Sequence, residues 1–147
     1  MKPLVSKTVT AKEREALISR MTAILQTKPA VLLVYLHGSF LEEEGAFRDV
    51  DLAVYLDQEE FDDERGMFDY ALTLSAELDI EISEVTVDLI PLNLAPLPFA
   101  FTVLSRGRLL FSRDGQERVN YEARIRSLYF DFLPHLRFYY KSTMLGD

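Results

Sequence analysis

The sequence predicts a single α+β domain spanning residues 1–147, a small β-sheet flanked by helices. Three observations carry that expectation. Short apolar runs of strand length, Ala30–Leu36 and Val50–Leu56, alternate with longer segments of helical period. Capping-box pairs, Thr10 with Glu13 and Asp114 with Glu117, stand before the first and last of those segments. The length of 147 residues, 48% of them hydrophobic and 27% charged, suits one domain with one real core.

Taken in order, Thr10 to Thr27 reads as a helix with Leu17, Met21, Ile24 and Leu25 on one face, ended by Lys28-Pro29. Ala30–Leu36 (AVLLVYL) is a buried strand. Gly38-Ser39 breaks it, and Ser39 is placed to cap a short helix through Glu44 that Gly45 closes. Val50–Leu56 is a second strand. Asp57 then caps a long acidic helix, about Glu59 to Leu78, with Phe61, Phe68, Leu72 and Leu78 among its apolar positions. Glu84–Ile90 (EVTVDLI) is a third strand of β-branched alternation. A proline-rich loop from Pro91 to Pro98 leads into a short helix, Phe99–Leu104, and Gly107 turns the chain into a strand, Arg108–Phe111. The last helix, about 114–142, has Ile125, Leu128, Tyr129, Phe132 and Leu136 as its buried stripe and Pro134 as a possible kink.

Composition excludes several classes of chemistry. There is no Cys, hence no disulfide, thiolate metal site or Cys nucleophile, which is compatible with a reducing cytoplasm. The first fifteen residues lack the apolar centre of a signal peptide, and no apolar run approaches the ~18 residues of a membrane span. Net charge is −8 and unevenly spread: residues 42–88 carry two Arg against seventeen Asp and Glu. That acidic middle repels nucleic-acid phosphates and suits divalent cations or a basic protein partner.

The chemistry-bearing stretch is His37–Leu56, HGSFLEEEGAFRDVDLAVYL. A strand that ends in a Gly-Ser turn offers backbone N–H groups to a phosphate. Asp49 and Asp51 share one face of the following strand, while Val50, Leu52 and Val54 take the other. Asp88 falls on the polar face of the third strand among Val85, Val87 and Leu89. An ionised carboxylate in apolar surroundings needs a cation, a metal or strong hydrogen bonds. If the second and third strands are neighbours, the three aspartates converge and suit Mg²⁺, a hard cation that prefers oxygen ligands.

The order Gly38-Ser39, nine residues, Asp49-x-Asp51, then Asp88 resembles the minimal nucleotidyltransferases of the DNA polymerase β superfamily. Within it the chain is similar to the MNT-type antitoxins encoded beside HEPN-domain toxins. VDLIPLNLAP (Val87–Pro96) and RLLFSRDGQERVNYEARIRSLYFD (Arg108–Asp131) extend the resemblance over nearly the whole chain. It implies a polymerase β-like α+β fold with a small mixed sheet. It also implies a two-metal transfer of AMP from ATP to a tyrosine hydroxyl of the cognate HEPN RNase toxin, which neutralises the toxin, with antitoxin and toxin forming a cytoplasmic hetero-oligomer. Carried over by position, Gly38 and Ser39 hold the triphosphate. Arg48, read from its place beside Asp49, is a candidate either to counter a phosphate or to pair with the acidic short helix of Glu42, Glu43 and Glu44. Asp49 and Asp51 bind two Mg²⁺ ions, and Asp88 completes the metal site and favours loss of the acceptor proton. No direct nucleic-acid or membrane partner is expected.

Two rival functions stay open: a non-catalytic antitoxin that neutralises a basic partner by contact, and a nucleotidyltransferase with a small-molecule acceptor. Serine hydrolysis at His37 and Ser39 is not supported, because Phe40 and Leu41 follow Ser39 and no G-x-S-x-G elbow exists. His37 is expected to end its strand near the nucleotide, and His135 reads as structural. Arg106 and Arg108 flank Gly107 and are candidates to approach the nucleotide. The Arg- and Tyr-rich last helix is a packed helix with a basic side or a partner surface.

Overall fold

The computed structural model describes residues 7–8, 10–41, 46–47 and 49–145. Arg48 and the expected Glu42–Gly45 end of the short helix lie outside them. Strand β1 (Lys7–Thr8) leads to helix α1 (Ala11–Gln26), β2 (Val31–His37), β3 (Ala46–Phe47) and β4 (Asp49–Leu56). Helix α2 (Glu64–Glu81), β5 (Thr86–Pro91), α3 (Leu97–Arg106), β6 (Arg108–Ser112) and α4 (Gly115–Leu145) follow. Single 3₁₀ turns stand at Gly38–Leu41, Gln58–Glu60 and Leu92–Leu94.

The main sheet has the order β5-β4-β2-β6, and β1 pairs with β3 in a separate two-stranded ribbon. β2 runs antiparallel to β4 and β6, while β4 and β5 are parallel, so the sheet is mixed. A parallel pair needs a crossover connection, and α2 supplies it. This is the α+β architecture expected from the sequence.

Period-two alternation divides the strands between two cores. Val34, Leu36, Val50, Leu52, Val54, Leu56, Val87 and Leu89 face α1 and α2, whose Leu17, Met21, Leu25, Met67, Leu74 and Leu78 close over them. Leu33, Tyr35, Ala53 and Tyr55 face the other way, onto Ala100, Val103 and Leu104 of α3 and Tyr121 and Ile125 of α4.

Helix α1 begins as its capping box predicts. Thr10 Oγ1 accepts from the Glu13 N–H at 3.1 Å, and Glu13 Oε1 accepts from the Thr10 N–H at 3.3 Å. The second helix differs from expectation. Asp57 caps only the 3₁₀ turn Gln58–Glu60, and Phe61 is extended (φ −131°, ψ 144°), turning its ring onto Tyr70. Asp63 is the cap of α2, accepting from the Gly66 N–H at 2.9 Å. Met67, Ala71, Leu74 and Leu78 form its buried face, whereas Phe68 and Leu72 are 52% and 59% exposed. Phe68 and Leu72 lie on one stripe with Ser75 and Asp79. That stripe overhangs the edge strand: Asp79 Oδ1 accepts from the Val87 N–H at 2.8 Å, and Ser75 Oγ accepts from the Leu89 N–H at 3.0 Å. These bonds satisfy two edge amides that would otherwise template another strand.

The Pro91–Pro98 loop holds the 3₁₀ turn Leu92–Leu94 and the first turn of α3. Asn93 imitates a strand partner there, accepting from the Leu56 N–H at 2.8 Å and donating to the Leu56 carbonyl at 2.9 Å. Gly107 allows the tight turn into β6, where a Cβ would run into the carbonyl of Val103 and lie 2.9 Å from that of Leu36. Asp114 Oδ1 accepts from the Gln116 N–H at 2.8 Å, opening α4, which continues through Pro134. Along its stripe Tyr121 and Ile125 are buried and Tyr129, Phe132 and Leu136 are half-buried, whereas Leu128 is 48% exposed. Beyond that point Tyr129 stacks on Phe101 of α3 at 3.9 Å.

Candidate active site

The face that packs on α3 and α4 turns polar at one end of the sheet. The alternation placing Leu33 and Tyr35 in that core places His37 on the same face at the end of β2. Likewise Asp49 and Asp51 precede Ala53 and Tyr55 on β4, and Asp88 precedes Ile90 on β5. Register then gathers them. His37 pairs with Asp51 across the antiparallel β2/β4 ladder, and Asp51 pairs with Asp88 across the parallel β4/β5 ladder. Asp49 pairs with Thr86, one pleat further out. The three aspartates thus lie on adjacent strands of one face, as the sequence pattern requires.

Their environments differ. Asp49 and Asp88 are exposed and Asp51 is half-buried. Burial pushes the Asp51 carboxyl above its ordinary range; His37 opposes that shift, and repulsion from Asp88 and Asp49 adds to it. Burial likewise holds the His37 imidazole below its ordinary value, against the pull of Asp51 and Asp88. The His37 ring meets Phe99 of α3 edge-on at 5.4 Å, and its Nε2 is buried with no hydrogen-bond partner. His37 lies beside the aspartates, in keeping with its reading as a strand end near the nucleotide. The parity Leu33, Tyr35, His37 is the sequence signal that puts it there. Phe99 has no such signal, since its contact depends on how α3 packs.

Gly38 is the close partner of Asp51. Its φ is +79°, a conformation that favours glycine, and a Cβ there would lie 2.5 Å from Asp51 Oδ2. The backbone of Ser39 lies in the 3₁₀ turn Gly38–Leu41 that begins at this contact. Arg48 lies outside the described residues. Arg108 is drawn away from the aspartates: it makes a two-pronged pair with Glu15 of α1, at 2.7 and 3.1 Å. Arg106 ends α3 as an exposed residue.

Among the described residues, no three His, Cys, Asp or Glu side chains are gathered closely enough to hold a metal ion by themselves. Magnesium seldom requires such a cage, since one or two carboxylates, water and substrate phosphates complete its shell. The donors offered are carboxylate oxygens, the type that ion prefers. A half-buried carboxylate with two carboxylate neighbours also gains from any cation nearby. The donor set therefore fits Mg²⁺.

Residues 19–116 match the family model described as Polymerase beta, Nucleotidyltransferase, and Gly38, Asp49, Asp51 and Asp88 all fall inside the match. The chain belongs to the polymerase beta nucleotidyltransferase family. No curated protein matches this nucleotidyltransferase. Among solved structures it is similar to a chain of the toxin–antitoxin MntA–HepT, with a TM-score of 0.66 and 19% identity over 88% of this chain and 98% of that one. A chain of the tri-AMPylated HEPN toxin in complex with MNT antitoxin, from Shewanella oneidensis, gives a TM-score of 0.64 and 21% identity, covering 89% of this chain and 98% of that one. A toxin–antitoxin structure with AMP-PNP gives 0.62 and 22%, covering 88% and 98%. These likenesses establish a shared fold. Among the described residues no helix is long and apolar enough to cross a membrane.

Proposed function

We propose that the chain is an antitoxin that moves AMP from ATP to a tyrosine hydroxyl of a cognate HEPN-domain toxin. The observation that carries this reading is the register Asp51–Asp88 with Gly38 against Asp51. It sets the backbone of a glycine turn directly beside carboxylates on a fold of the nucleotidyltransferase family. The solved relatives of that fold include an AMPylated HEPN toxin complex and an AMP-PNP complex, which is why the partner and nucleotide are chosen as they are.

In this reading the backbone of the Gly38–Ser39 turn receives the triphosphate, with Arg48 as a further phosphate contact. Asp49, Asp51 and Asp88 would hold two Mg²⁺ ions. Those ions, when bound, neutralise the phosphates and favour ionisation of the acceptor hydroxyl. Asp88 takes the tyrosine proton. The tyrosine oxygen forms a bond to the α-phosphorus, the bond from that phosphorus to the β-phosphate oxygen breaks, and pyrophosphate leaves. The partner is held in a hetero-oligomer while its tyrosine is modified.

The test is to incubate the protein with its cognate HEPN protein, Mg²⁺ and ATP labelled in the α-phosphate. Label should appear on the partner and disappear with Asp49→Asn plus Asp51→Asn. An unlabelled partner, or labelling untouched by the double variant, would sink the proposal. Full protection from the toxin by the double variant would favour neutralisation by contact instead.

A further inference from the structure

A cleft of about 360 Å³ opens beside the carboxylates, between the overhanging stripe of α2, the end of β5 and the start of α3. Phe68, Ile90, Leu94 and Phe99 form its walls. It adjoins the site at two points. Ile90 follows Asp88 on the same face of β5, and Phe99 packs on His37. A second hollow, lined by Glu64, Arg65 and Asp69, shares Phe68 and Leu94 with the first, so the two form one groove with an apolar floor and a mainly acidic outer rim.

We propose that this groove seats the acceptor protein, receiving an apolar side chain from a segment that also carries Lys or Arg. The inference rests on the transferase reading above and names how that site recognises its substrate. Two features favour a protein segment over the nucleotide as occupant. The cleft walls carry no polar side chain to read a base edge, and Pro91 and Pro96, which also line it, have no N–H to offer. The rim is the second feature: Glu64 and Asp69 continue the exposed acidic run Glu59, Glu60, Asp62 and Asp63, which repels a polyphosphate and attracts a basic chain. Arg65 reaches Asp69 at 3.8 Å, but both are largely exposed, so that pair yields at little cost. An aromatic ring such as Phe68, half in water at the rim of a pocket, is the residue type that dominates protein interfaces once covered.

The experiment compares wild type, Phe68→Ala and Glu64→Lys plus Asp69→Lys. Each is measured for calorimetric affinity toward the HEPN partner, affinity for AMP-PNP with Mg²⁺, and rate of partner labelling. Phe68 lies outside the core, so its truncation leaves the melting temperature near that of wild type, which is checked in parallel. The expected result is at least a tenfold loss of partner affinity in both variants, a rise in KM for the partner, and AMP-PNP affinity within twofold of wild type. The charge-reversed variant should also lose the salt dependence of partner binding. Partner affinity within twofold of wild type overturns the proposal, as does a parallel fall in AMP-PNP affinity, which would give the cleft to the nucleotide. If wild type binds the partner without labelling it while Phe68→Ala loses binding, the groove stands and the transferase reading fails.

Discussion

Gly38 and Asp51 are packed so closely that a Cβ on the glycine would sit 2.5 Å from the aspartate Oδ2. The contact joins the end of β2 to the N-terminal half of β4. It sets the turn proposed to receive phosphate against the carboxylate proposed to bind metal, and only a residue without a side chain permits it.

Gly38→Ala should therefore impair both stability and chemistry. The positive φ alone costs ~1 kcal/mol or more for a residue with a Cβ, and the clash displaces Asp51. Denaturant unfolding should show a loss of about 1–3 kcal/mol. AMP-PNP binding should weaken more than that loss explains.

Asp51→Asn should raise the melting temperature of the metal-free protein at neutral pH. The folded Asp51 carboxyl has a raised pKa, because burial and then its carboxylate neighbours disfavour its charge. For an acid shifted upward, stability is present at low pH and lost as pH rises from the unfolded toward the folded value. The variant carries no such charge, so its stability should vary less with pH across that window. Mg²⁺ with AMP-PNP should stabilise wild type and leave the variant nearly unmoved.

Glu122 shows the opposite sign. Burial would raise its pKa, but hydrogen bonds from Tyr35 and Arg118 overrule that and lower it. Tyr35 Oη donates to Glu122 Oε1 at 2.7 Å beneath α4. Tyr35→Phe should cost about 1–2 kcal/mol near pH 7, where Glu122 is ionised. The cost should shrink as pH falls through the lowered pKa, because the stability held by the carboxylate is then lost in wild type too. Urea midpoints across pH check this.

Arg113 fastens α1 to β6. Its guanidinium donates to the carbonyls of Gln26 at 3.1 Å, Lys28 at 2.9 Å and Val31 at 3.0 Å, satisfying acceptors at and just past the end of α1. Arg113→Ala should cost about 1–2 kcal/mol, reduced by the exposure of the residue, and leave AMP-PNP binding unchanged.

The legible features were local ones. Thr10 and Glu13 meet within one helical turn, so spacing alone revealed their cap. Asp49 and Asp51 share a face because strand geometry repeats every two residues. The start of α2 was less legible, since Asp57 and Asp63 are both capping residues and the extended Phe61 between them, packed on Tyr70, selects the later one. The exposure of Phe68 was not legible either: stripes 67–71–74–78 and 68–72–75–79 are both possible by period, and packing onto the sheet chose the first.

The sequence by itself determined which residues are polar on which strand face, where the Gly-Ser turn falls, and that an acidic middle lies between two basic flanks. Only the tertiary structure decided that β5 pairs in parallel beside β4 with Asp88 opposite Asp51, that His37 joins them under Phe99, and that Arg108 is taken by Glu15. The reason is physical. Side-chain parity is a property of one strand, whereas register and helix docking are set by contacts between residues far apart in the chain, which the local pattern does not contain.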